Sequence, residues 1–139
     1  ALVLDWFYQT KFWEENKEVA QIIPQFELGK YLKQLDKSYN HPNYRVDFLL
    51  VYDDSDGIQH KIIIEYDGFL EHFGDSVGMV DGSNYQEYYS PEDVYRQHVL
   101  EGYGYKFIRI NKFNLGENPI LTLDSRIQEI VKKKFSTTK

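Results

Sequence analysis

Asp47, Glu65 and Asp67 are the residues whose types and spacing could do chemistry. Side chains alternate across a strand, so Glu65 and Asp67 share one face with Ile63. Asp47 stands in a separate apolar run. If that run is the partner strand, cross-strand spacing brings its carboxylate within roughly 5 Å of one of the others. Carboxylates converging at the end of a buried apolar strand repel each other and need a proton or a cation. Oxygen-only ligands favour Mg²⁺ or Mn²⁺ over zinc. Such an ion lowers the pKa of a bound water and stabilises charge on a phosphodiester under attack. A blander reading competes. Asp47 could be a strand-end residue paired with Arg45 or Lys61, with Glu65 and Asp67 flanking a turn at Gly68, because charged residues mostly sit on solvated surfaces.

Two strand patterns must position these groups. Residues 44–52 (YRVDFLLVY) and 58–67 (IQHKIIIEYD) are rich in β-branched and aromatic residues. Asp53-Asp54-Ser55-Asp56-Gly57 between them reads as a turn, so the pair predicts an antiparallel hairpin. Ile62-Ile63-Ile64 is apolar on both faces, which suits a central strand covered on both sides. Residues 5–18 predict a helix, and 21–28 a short strand that Pro24 confines to an edge or a bulge. Residues 29–43 read as a loop or a short helix with a turn around Asn40-His41-Pro42. A long Gly- and Asp-rich loop fills 73–89. Ser90 and Pro91 start a helix that Gly102 ends. Residues 105–110 predict a strand, and about 119–134 a helix with Ile120, Leu123, Ile127, Ile130 and Val131 on one face. The order is α/β, with a strand–helix–strand crossover over 62–110 and a mixed central sheet flanked by helices.

The 139 residues fit a single domain spanning 1–139. The abrupt start without Met reads as a domain excised from a larger protein. There is no cysteine, which excludes a disulfide framework, a thiolate nucleophile and a Cys-based zinc site. No apolar run approaches the about 20 residues of a membrane helix, and no basic region precedes the opening Ala1-Leu2-Val3-Leu4, so an intracellular, cytoplasmic domain is expected. The net charge of −6 tells against nucleic-acid binding by bulk electrostatics. Any such role must rest on a local basic surface, a metal or a neighbouring domain. His41, His60 and His98 form no recognised metal-ligand spacing, and no phosphate loop or Ser/His nucleophile motif is present.

YRVDFLLVY…KIIIEYDGFLEHF, followed by DVYRQHVLEGYGYKFIRINKFNL, resembles the PD-(D/E)XK nuclease superfamily. More narrowly it is similar to small domains related to very-short-patch-repair endonucleases, which are often fused to helicases. The matching segments are Pro24-Gln25, Tyr44–Phe48, Ile64–Gly68 with His72, Asp93 with Arg96, and Gly104–Ile110, from about residue 5 to residue 131.

The resemblance implies a restriction-endonuclease-like core and a Mg²⁺- or Mn²⁺-dependent endonuclease acting on DNA or RNA. It implies that Asp47 and Glu65 bind the metal with help from the Tyr66 carbonyl. Asp67 falls where many members carry a catalytic Lys, although Glu-x-Asp-Gly is usual in the narrower group. His72 is then the best candidate to move a proton near neutral pH, against a plain hydrogen-bonded surface histidine. Asp5 best fits the acidic position of the first helix, with Glu14 and Glu15 as alternatives to it; against each stands a plain solvated helix face. Arg45, Lys61, Arg96 and Gln97 are candidate nucleic-acid contacts, although Arg96 and Gln97 could equally satisfy only Asp93 and the sheet. A non-catalytic reading stands beside this one. RAP domains, thought to bind RNA, resemble the same Glu-x-Asp-Gly…His and Gly-Tyr segments, and a protein-interaction module of the same fold is a third reading.

Overall fold

The computed structural model describes residues 2–66, 90–111 and 114–137, with side chains through Lys132. The predicted first helix is two helices, α1 (Leu2–Tyr8) and α2 (Lys11–Asn16). Thr10 divides them. Its hydroxyl donates to the Phe7 carbonyl at 2.7 Å and accepts the Trp13 N–H at 3.1 Å, closing one helix and capping the next. Strand β1 (Ala20–Glu27) lies at the sheet edge, where Pro24 leaves no ladder donor missing. A short helix α3 (Leu28–Leu35) follows.

β2 (Arg45–Asp53) and β3 (Gln59–Tyr66) form the expected antiparallel hairpin. Asp54 Oδ1 accepts the N–H groups of Asp56 and Ile58, and Gly57 takes the φ of 80° that the turn requires. Ser90 caps α4 (Pro91–Gly102) by accepting the Asp93 N–H at 3.1 Å. β4 (Lys106–Ile110) returns parallel to β3, and α5 (Pro119–Thr137) closes the described chain. The sheet is mixed, in the order β1-β2-β3-β4.

Both faces of that sheet are covered. Phe48, Leu50, Ile62, Ile64, Ile108 and Ile110 pack with Phe7 and Phe12 and with Leu123 and Ile127 of α5. On the other face Leu49 and Ile63 pack with Leu28 and Leu32 of α3 and Leu100 of α4. The triple isoleucine therefore feeds two cores, and each such side chain contributes about 1.5–3 kcal/mol when fully buried. Among the described residues no helix is long and apolar enough to cross a membrane.

The ends of α3 and α4 are tied together. Tyr103, which follows α4, donates its hydroxyl to Asp36, which follows α3, at 2.6 Å. Hydrogen bonds from Ser38, then from Tyr103, hold the Asp36 carboxyl below the ordinary carboxylate range, and the same bond pushes Tyr103 up to about 12. A depressed folded pKa stabilises the fold above the unfolded pKa, and that contribution is lost as pH falls through the folded value. Tyr103→Phe should raise the Asp36 pKa toward normal in a carboxyl NMR titration. An unmoved titration would assign the whole shift to Ser38.

Gly29 is the tightest point on this face. A Cβ there would run into the backbone of Pro42, Asn43 and Tyr44. Gly29→Ala should therefore cost about 1–3 kcal/mol in urea unfolding. Gly102→Ala, with open space around it, should be neutral or stabilise by up to about 1 kcal/mol. Equal losses in both variants would refute the close approach.

Candidate functional site

The hairpin register carries Asp47 to Glu65. Phe48 pairs with Ile64, so one step further Asp47 stands opposite Glu65. The carboxylate of Asp47 accepts the Tyr66 N–H at 3.1 Å. Glu65 is buried, only 6% exposed, at the end of the central strand. A buried carboxylate needs a counter-charge, and α4 supplies it. Arg96 Nη1 donates to Glu65 Oε1 at 2.9 Å, and Nη2 donates closely to Oε2. This is the bidentate fork that a guanidinium makes with a carboxylate. Nη2 also donates to the Arg45 carbonyl at 3.2 Å. Burial works to lower the Arg96 pKa, but the hydrogen bonds and charge of Glu65, with Asp93 and Asp47, hold it above its ordinary value.

Arg109 completes the arrangement. It pairs with Glu65 in the parallel β3–β4 register, and its Nη1 lies 3.9 Å from Oε1. Its Nε donates to Gln97 Oε1 at 2.9 Å. The ring of Phe107 lies 6.0 Å from the Arg96 guanidinium and 5.6 Å from that of Arg109, within cation–π reach. Opposite Asp47 on β1, between the pairs Pro24–Phe48 and Phe26–Val46, sits Gln25 with φ 51°. A non-glycine residue held there costs on the order of 1–3 kcal/mol, and such strain gathers at functional sites.

The structure thus brings together Asp47, Glu65, Tyr66, Arg96 and Gln97, with Arg45 joined through its carbonyl. Lys61 is elsewhere: it donates to the Tyr103 carbonyl at 3.2 Å and lies 4.6 Å over the Tyr105 ring. Among the described residues no hydrogen bond or ion pair joins Asp5, Glu14 or Glu15 to Asp47 or Glu65. The Asp5 carbonyl accepts from Gln9, and Glu15 pairs with Lys11 at 3.9 Å. Asp67, Gly68, His72 and the 73–89 loop lie outside the described residues. Among the described residues no cluster of three His, Asp or Glu side chains could hold a metal ion. Sequence reading missed Arg109. The alternation in Tyr105–Ile110 sets it on one face with Phe107, but only the parallel register puts that face beside Glu65.

Removing Arg96 leaves a buried carboxylate short of its main partner. Arg96→Ala should cost about 3–5 kcal/mol, whereas Glu65→Leu with Arg96→Met should recover most of that loss. Urea unfolding of both variants checks this, and a single variant as stable as the parent would overturn the pairing.

Comparison with known proteins finds no matching family model, no similar curated protein and no similar solved structure.

Proposed function

We propose that the chain is a metal-dependent endonuclease domain hydrolysing phosphodiester bonds in DNA, built on a restriction-endonuclease-like core. The observation that carries this is Asp47 facing Glu65 where the β2–β3 ladder ends, with Arg96 of α4 bound to Glu65. The donor set suits Mg²⁺ or Mn²⁺ in kind, being oxygen throughout, and Mg²⁺ sites keep several waters when protein ligands are few. Asp47, Glu65 and the Tyr66 carbonyl would hold the ion, which would supply an activated water and charge stabilisation at phosphorus.

The remaining work falls to the chain's own side chains. Arg96, held on Glu65, can give its N–H groups to a phosphate oxygen once the carboxylate is otherwise neutralised. Gln97 fixes the neighbouring Arg109. Asp67 or His72 is the candidate to orient the water or protonate the leaving oxygen. A helicase, fused or free, is the partner that this reading suggests.

One observation favours a second reading. The Arg96 fork, with Arg109 nearby, neutralises Glu65 without any ion, as a non-catalytic nucleic-acid-binding or protein-interaction module would require.

Calorimetric titration with Mn²⁺, followed by a plasmid-nicking assay, separates the two. The first reading expects Mn²⁺ binding and nicking in the parent. Both should be lost in Asp47→Ala while its circular dichroism is unchanged. An Asp47→Ala protein that still cuts removes Asp47 from the site. A parent that neither binds Mn²⁺ nor cuts leaves the non-catalytic module.

A further inference from the structure

Helix α3 and the turn after it border a groove of ≈ 350 Å³. Lys30, Lys33, Gln34, Tyr39, His41 and Asn43 line it. In a chain of net charge −6, this lining contains no acid. Lys33 Nζ uses one of its three N–H groups on the Tyr39 carbonyl, at 3.1 Å. Among the described residues neither lysine pairs with a carboxylate. The nearby acids are engaged: Glu27 accepts from Asn43 at 3.0 Å, and Asp36 accepts from Ser38 and Tyr103.

Aromatic rings continue the groove toward α4. Tyr39 and His41 lie 5.2 Å apart between ring centroids, and His41 and Tyr95 5.8 Å apart. The Tyr95 hydroxyl is 3.3 Å from His41 Nδ1. Tyr95 is 55% exposed, although no apolar core needs it there. The next residue along α4 is Arg96, which holds Glu65. In the other direction, a second groove of ≈ 350 Å³ shares Lys30 and Gln34 with the first. It runs past Tyr31, Phe26 and Glu27 to Gln25, which stands opposite Asp47.

Along the two grooves Lys30 and Lys33 stand against the single carboxylate of Glu27, and a net positive lining selects an anion. Exposed ring faces alongside them select one that carries flat apolar groups. We propose that this trough seats a single-stranded polynucleotide. Lys30 and Lys33 hold its phosphates, and Tyr95, with Tyr31 at the far end, stacks its bases. Stacking needs unpaired bases and is indifferent to their sequence, which is how an acidic domain can hold an acidic strand through a local surface. The inference rests on the proposed nuclease reading only for what happens where the strand reaches Asp47 and Glu65.

The test is fluorescence anisotropy with labelled 12-mers of oligothymidylate and oligouridylate, in EDTA so that no metal contributes. The parent should bind at least one of them more tightly than a duplex of the same length. Tyr95→Ser should weaken binding about 5- to 100-fold, and Tyr95→Phe should restore it. Lys30→Gln with Lys33→Gln should lower the salt slope by roughly 0.7 for each phosphate no longer neutralised. Lys11→Gln, on α2 and outside both linings, should bind as well as the parent, and the EDTA keeps this test separate from the catalytic one. The proposal falls if neither strand binds, if duplex or polyglutamate of equal length binds as tightly, or if the Tyr95 and lysine variants bind like the parent. Strand binding in EDTA without cleavage in Mn²⁺ would sink the nuclease reading and leave this one standing.

Discussion

The buried charge of Glu65 is the constraint on which the rest of the second face depends. A carboxylate at the end of an isoleucine strand is costly unless it is paired and hydrogen-bonded. Its main partner comes from α4, so that helix must present Arg96 to the sheet. Leu100, one turn later, then points into the same core. That choice fixes the rotation of α4 about its axis. Tyr95, a neighbour of Arg96, is carried outward and meets His41, 54 positions earlier in the chain. The ion pair thus sets both what α4 buries and what it exposes.

The same pair ties α4 to two strands of the sheet. Arg96 closes the gap between α4, β3 and the Arg45 carbonyl on β2. Arg109 and Gln97 repeat the link between α4 and β4. A cation arriving at Glu65 would compete with a bond that already holds the layers together. Under the proposed reading, an ion at Glu65 would take the place of that fixed guanidinium. An Arg set free in that exchange is the residue best shaped to meet a phosphate.

Local chemistry made the hairpin legible. The Asp-rich turn at 53–57, the β-branched runs on either side and the Ser90-Pro91 start of α4 all act over a few residues. Pro24 marked an edge strand for the same reason. The split of the first helix was hidden because Thr10 can serve as a helix interior or as a cap, and its two hydrogen bonds decide for the cap. Arg109 and the His41–Tyr95 contact were invisible because each depends on register or packing between distant segments. Asp47 and Glu65 were visible as a pair, but the sequence could not say that Glu65 already has a guanidinium partner.

The carboxylates lie where regular structure gives way. On β1, Ile22 packs on the first face of the sheet and Phe26 on the second, although both are even positions. On β2 the exchange recurs, with Phe48 on the first face and Val46 on the second. Unbroken strands cannot do this, because alternation keeps residues two or four apart on one side. The exchange falls at Gln25 and Asp47, which face each other, and Gln25 takes a positive φ to allow it. Two residues beyond Ile64, the last β3 residue paired with β2, the Tyr66 N–H is met by the Asp47 side chain. A carboxylate thus stands in for a ladder carbonyl at the point where the strands part. The irregularity brings Val46 to the face that α3 covers, so the strain at Gln25 serves the packing of the second face beside which Asp47 and Glu65 stand.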